Sequence, residues 1–141
     1  MKIEIGTHTE LIKAADEIRQ MVFIDEQGVP EEEIFDGLNH EAIHIVAFHD
    51  DVPVATARVI KEGASWRIAL VAVDKSKRGL HLGEKVMEAA ARYIMANNGR
   101  KIILTAQEEV RGFYEKLGFV QNGKAKTFES GVALIPMELC L

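Results

Sequence analysis

The run Val71-Ala-Val-Asp-Lys-Ser-Lys-Arg-Gly-Leu-His-Leu-Gly83 brings together the parts of an anion site. An apolar strand pattern ends at Asp74. A basic turn of Lys75, Lys77 and Arg78 follows, and an amphipathic helix is predicted from Gly79 or Leu80. The first turn of a helix carries backbone N–H groups without intrahelical partners, and its dipole adds about half a positive charge there. A glycine-bearing, cationic turn that feeds such a terminus suits a phosphate group, and the pyrophosphate of a cofactor is the expected guest.

A second pattern, His40-Glu-Ala-Ile-His44, spells H-E-x-x-H, a zinc-protease signature, with Glu62 downstream as a conceivable third ligand. That chemistry requires a helix, on which residues four apart lie about 6 Å from each other. On a strand the same spacing is about 13 Å, too far to share an ion. The following Ile45-Val-Ala-Phe48 is β-branched and aromatic, so a strand and a chance match are expected, with no metal. The acidic run Glu31-Glu-Glu33 with Asp36 reads as a solvated loop that could also steer a cationic amine, and Arg58 is a partner for one of its carboxylates.

These residues need a scaffold. Lys2–Ile5 alternates as a strand. Thr7-x-x-Glu10 resembles a capping box, followed by Leu11, Ala15, Ile18 and Val22 at helical spacing until Gly28 and Pro30. Ala42–Phe48, Val52–Ile60 and Trp66–Val73 form an antiparallel meander. The helix after Gly79 ends near Asn97-Asn98-Gly99; Ile102–Thr105 is a strand, Glu108–Leu117 a helix, and Phe119-Val120 and Val132–Leu139 the last strands. The predicted class is α/β (mixed α+β): a central mixed, mostly antiparallel sheet flanked by helices on both faces.

At 141 residues, 48% of them hydrophobic, the chain is expected to form one domain over 1–141. A net charge of −5 argues against a nucleic-acid partner. Cys140 is the only cysteine, and no apolar run reaches the roughly 20 residues of a membrane span. A cytoplasmic location and no membrane partner are therefore expected.

The element order, the motif Arg78-Gly-Leu-His-Leu-Gly83 and the segment Gly112-Phe-Tyr-Glu-Lys-Leu-Gly-Phe119 together resemble the GNAT family of acetyl-CoA-dependent N-acetyltransferases. Val22-Phe-x-x-Glu-Gln-Gly-Val-Pro30, Pro53-Val-Ala-Thr-Ala-Arg58 and Ala106-Gln107 narrow the likeness to the ElaA/YjcF-like subgroup. The resemblance implies an N-acetyltransferase that passes the acetyl group of acetyl-CoA directly to an acceptor amine in a ternary complex. It assigns cofactor binding to Val71, Ala72, Val73, Arg78, Gly79, Leu80, His81, Leu82, Gly83, Gln107, Phe113 and Tyr114. It also assigns Tyr114 as general acid, since a phenol with a pKa of about 10 keeps its proton at neutral pH. For the base, His44, Glu26, Glu41 and Glu129 lie in segments that can border a cleft. His44 leads because a pKa of about 6.5 suits proton acceptance, and Glu26 is the alternative.

Three positions depart from the family pattern. His81 replaces the first motif glycine, Ala69-Leu70 stands where the subgroup often has Glu-Arg, and Gly131-Val-Ala-Leu134 where it often has Gly-Ile-Pro-His. These departures motivate an alternative, an acyl-CoA-binding module of the same fold with weak or lost activity. The remote alternative is the small zinc hydrolase on His40, Glu41 and His44. The C-terminal edge strands are the expected place for a homodimer contact.

Overall fold

The computed structural model describes residues 1–127 and 132–141. Among them lie strands β1 (Lys2–Gly6), β2 (Ile43–His49), β3 (Val52–Glu62), β4 (Ser65–Val73), β5 (Lys101–Gln107), β6 (Val120–Gln121), β7 (Lys126–Thr127) and β8 (Ala133–Cys140). The helices are α1 (Thr9–Arg19), α2 (Glu31–Ile34), α3 (Leu82–Ala96) and α4 (Arg111–Lys116). The sheet runs β1-β2-β3-β4-β5-β8-β6, with β7 also pairing β8. Only β4 and β5 pair in parallel. This is the mixed, mostly antiparallel sheet expected.

The two faces are covered by different helices. Leu11, Ala15 and Ile18 of α1 and Val22 beyond it pack on Val46 and Ala72. Val86, Met87, Ala90 and Ile94 of α3 pack on the opposite face with Ile45, Ala47, Ala57 and Val59. Because β2 is buried on both faces, its apolar run is continuous rather than alternating. The β2–β3 connection is a two-residue hairpin turn in which Asp50 and Asp51 both take positive φ. That geometry matches the twist of the flanking strands.

Several local expectations change. The residue before α1 is His8, whose side chain makes no capping bond, so Thr7 is not the cap. After Arg19 the helix widens into a π-helical stretch, Gln20–Glu26, and ends before Gly28 at φ +70°. The acidic segment is one helical turn, α2, rather than a loop. The segment predicted as one helix over 108–117 is a 3₁₀ turn, Glu108–Val110, followed by α4. Strand β7 had no readable pattern.

The α1 face carries a buried polar network in place of a wholly apolar seam. Arg19, fully buried, donates to Asp16 (3.0 Å) and, through Nη2, to His44 Nδ1 (3.0 Å). His44 Nε2–H in turn donates to the Asn39 carbonyl (3.0 Å). Asn39 also donates to both oxygens of Asp16 (3.3 and 3.2 Å). Arg58 closes the network with a bidentate pair to Asp36 (2.9 and 2.8 Å), which holds the Asp36 carboxyl below the usual carboxylate range. Burial pushes the His44 pKa down, and the neighbouring Arg19 and Arg58 charges push the same way.

This arrangement fixes the sign of a pH effect. A histidine held neutral in the fold takes up a proton more readily when unfolded, so its contribution is complete above its unfolded pKa of about 6.5 and is lost as pH falls below it. The expected loss of stability is up to about 1.4 kcal/mol per pH unit below pH 6.5. Urea unfolding at pH 7.5, 6.5 and 5.5 measures it. His44→Gln, which keeps an acceptor toward Arg19 and a donor toward Asn39, should flatten the dependence; an equal slope in that variant would clear His44 of the effect.

Candidate active site

Strands β4 and β5 pair at Trp66↔Ile102 and Arg67↔Ile103 and at no later described position, although both continue. On its other edge β4 carries a bulge: Thr56 pairs Ala72 and Arg58 pairs Ala69, so Leu70 and Val71 lie opposite Ala57 alone. Leu70 takes φ +52°, an outlier for a branched residue and a strain of about 1–3 kcal/mol. The bulge turns β4 away from β5. It leaves the backbone from Leu70 to Val73 without a strand partner on the β5 side.

A cleft of about 530 Å³ opens along this unpaired backbone. It brings together ten of the twelve residues expected there: Val71, Ala72, Val73, Arg78, Gly79, His81, Leu82, Gly83, Phe113 and Tyr114. The other two lie elsewhere. Gln107 lines a second cleft, of about 480 Å³, and the half-exposed Leu80 lines a small hollow with Met1 and His49. Val71, Tyr114, Gln27 and Val110 line both large clefts, so the two meet where β4 leaves β5. Gln27 and Val110 had not been singled out; only the Glu26-Gln27-Gly28 motif pointed toward the first.

At the head of the first cleft α3 begins at Leu82, two or three residues later than expected. The delay has a backbone cause: Gly79 (φ +90°) and His81 (φ +59°) are left-handed, and His81 is the residue before the helix. The first helical bond runs from the Lys85 N–H to the His81 carbonyl (3.2 Å), which leaves the amides of Leu82, Gly83 and Glu84 ahead of it. A Cβ on Gly83 would lie 3.2 Å from the Phe113 ring, so the glycine lets α4 close against this terminus. A backbone cradle of this kind fits a pyrophosphate. The Asp74 carboxylate holds the preceding turn by accepting from the Ser76 N–H and Oγ–H, both at 3.0 Å.

Arg78 is committed differently from expectation. Its guanidinium makes a bidentate pair with Glu26 (2.7 Å twice) and also donates to the Val73 carbonyl (3.1 and 3.0 Å). The pair raises the Arg78 pKa and lowers that of Glu26. Glu26 is therefore a poor proton acceptor, which corrects its assignment as a base. Arg78 positions the turn.

His44 is corrected as well. It is fully buried in β2, and both ring nitrogens are engaged by Arg19 and Asn39. It lines neither cleft. His40 is exposed on the 3₁₀ turn Asn39–Glu41, so the H-E-x-x-H residues sit on different elements with no helix to align them. Glu41 shares that turn, and Glu129 lies outside the described residues. Tyr114 does face the cleft. It is buried and packed edge-on against Phe113 and Phe119, with ring centroids 5.0 and 6.0 Å away. Burial pushes its phenol up to about 12.

Comparison with known proteins agrees with this architecture. Residues 13–141 match the profile of the acetyltransferase (GNAT) domain. The uncharacterized N-acetyltransferase YjcF of Bacillus subtilis is 30% identical over 137 residues, covering 97% of this chain and 98% of its own. Escherichia coli ElaA superposes with a TM-score of 0.83 at 23% identity, covering 97% of both chains. An aminoglycoside 6′-N-acetyltransferase complexed with coenzyme A shares the fold at a TM-score of 0.80 and 18% identity, over 99% of this chain and 97% of its own. The chain belongs to the GNAT acetyltransferase family, with YjcF among its relatives and the fold of ElaA.

Proposed function

We propose that the whole chain, as one cytoplasmic domain, transfers the acetyl group of acetyl-CoA directly to an acceptor amine, both being bound together. The observation that carries this reading is the meeting of two clefts at Val71 and Tyr114, because direct transfer needs cofactor and acceptor to approach one point from different sides. Acetyl-CoA would supply the thioester carbonyl and the thiolate leaving group. The amides of Leu82 and Gly83 would take the pyrophosphate, and the unpaired backbone of Val71–Val73 would hold the pantetheine arm. A backbone N–H in that stretch would face the developing oxyanion.

Burial sharpens the role of Tyr114. A phenol with a pKa of about 12 stays protonated, but passing its proton to a thiolate whose conjugate thiol has a pKa near 8.5 is roughly 5 kcal/mol uphill. The hydroxyl therefore serves chiefly as a hydrogen-bond donor to the leaving sulfur, and the proton lost by the amine neutralises the thiolate in the end. With Glu26 and His44 engaged elsewhere, that proton leaves the amine through water.

A thermal-shift titration with acetyl-CoA tests the reading. At a hundred times its dissociation constant the ligand should add about 2.7 kcal/mol and raise Tm by several degrees. No shift at millimolar concentration would sink the cofactor assignment. Tyr114→Phe keeps the ring packing and should lower kcat about 10- to 100-fold, the worth of one hydrogen bond to a charged group, with KM for acetyl-CoA within about twofold. Unchanged turnover would remove Tyr114 from the mechanism. His81→Gly relieves a left-handed non-glycine residue and should stabilise the fold by about 1 kcal/mol, with equal or tighter acetyl-CoA binding. Weaker binding would show that the imidazole had become part of the cradle.

A further inference from the structure

We infer that the acceptor is a monoamine on an apolar body, not a polyamine or another polycation. The inference rests on the acetyl-transfer reading and takes the second cleft as the acceptor side. Its walls near the junction are Phe23, Ile68, Leu70, Leu104, Val110 and Leu134, and its nearest polar groups, Gln27, Thr105, Gln107 and Tyr114, are uncharged. Two charged residues line it among those described, Arg67 and Glu33. Arg67 is paired with a carboxylate outside the cleft lining: its Nε donates to Glu62 at 2.6 Å, and its Nη1 donates to Thr105 Oγ1 at 3.4 Å. That leaves the exposed Glu33 of α2 as the carboxylate among the described residues that can meet an ammonium here.

The rim carboxylate of Glu33 can draw in an ammonium. The further ammoniums of a polycation would be taken out of water against leucine and phenylalanine, which is strongly disfavoured. The same walls favour the chemistry for a monoamine. Desolvation lowers the pKa of a bound amine, so the nucleophile loses its proton to water without a strong base beside it. Ala69 and Leu70, which depart from the subgroup's Glu-Arg, thus belong with Leu134 to one apolar surface. The aminoglycoside enzyme that shares the fold is no guide to this surface, since the likeness at that identity extends to the backbone alone.

The test compares phenethylamine with spermidine and kanamycin. Thiol release from acetyl-CoA gives kcat/KM, and calorimetry gives phenethylamine binding to the bare and the coenzyme A-loaded protein. Phenethylamine should exceed both polycations at least tenfold in kcat/KM and should bind saturably. Leu134→Glu, which adds a carboxylate to the wall, should lower kcat/KM for phenethylamine at least tenfold and shift preference toward spermidine. Faster turnover of spermidine or kanamycin would overturn the inference, as would failure of phenethylamine to bind a protein that binds acetyl-CoA. A protein that binds phenethylamine but not acetyl-CoA would refute acetyl transfer while supporting the cleft's preference.

Discussion

The separation of β4 from β5 is the constraint on which the site depends. Two parallel strands that stayed paired to their ends would satisfy their own backbone groups and leave no cleft. Here the pairing stops after Arg67↔Ile103, and the bulge at Leu70–Val71 bends β4 away while β5 continues along β8 from Lys101↔Cys140 to Gln107↔Leu134. The cost is a leucine at positive φ and a stretch of unpaired backbone. Both are tolerable because β3 and β8 hold the two strands firmly on their outer edges. The strain stands at the point where Val71 and Tyr114 border both clefts, which is where a reaction between two bound molecules would take place.

Charge is arranged around that opening with similar economy. The arginine of the Arg78–Gly83 turn has the charge and shape of a pyrophosphate ligand, yet it ties Glu26 to the Val73 carbonyl. The pair joins the end of the π-helical stretch, the end of β4 and the turn before α3. Its consequence is mechanical: the turn is held in place, and under the proposed function the anion would fall to the amides at the helix terminus. Backbone amides suit this task, since they are fixed by α3 itself and lose little freedom when a ligand arrives.

Much of this was legible in the sequence because the large elements follow simple periods. The long helix and the α1 stripe follow the 3.6-residue period, the meander strands read as short apolar, β-branched runs, and their boundaries fall within a few residues of expectation. That the turn after β4 and Tyr114 would share one cleft was legible through motifs. What could not be read depends on contacts distant in sequence. Nothing near Glu26 announces that Arg78, 52 residues later, will occupy it. Nothing near His44 shows that Arg19, 25 residues earlier, will lie against its ring. The late start of α3 was hidden for a different reason: a histidine rarely takes the left-handed conformation, so the sequence around it reads as helix.

The buried network explains why the residues that look catalytic by type are not at the reaction centre, and it still bears on the site. Asp36 is pinned by Arg58 and accepts from the Leu38 N–H (3.1 Å), while Asn39 is held by Asp16 and by His44. These bonds anchor the segment that follows α2, and Ile34 is buried at the end of that helix. Glu33 is therefore placed at the mouth of the second cleft by the network that anchors the chain after α2. Buried ion pairs contribute little net stability against a well-packed apolar alternative, because desolvation offsets most of their attraction. Their directional bonds do fix one geometry. In this protein that geometry determines where the acidic turn meets the second cleft, a cleft that His44, Arg19 and Arg58 do not line themselves.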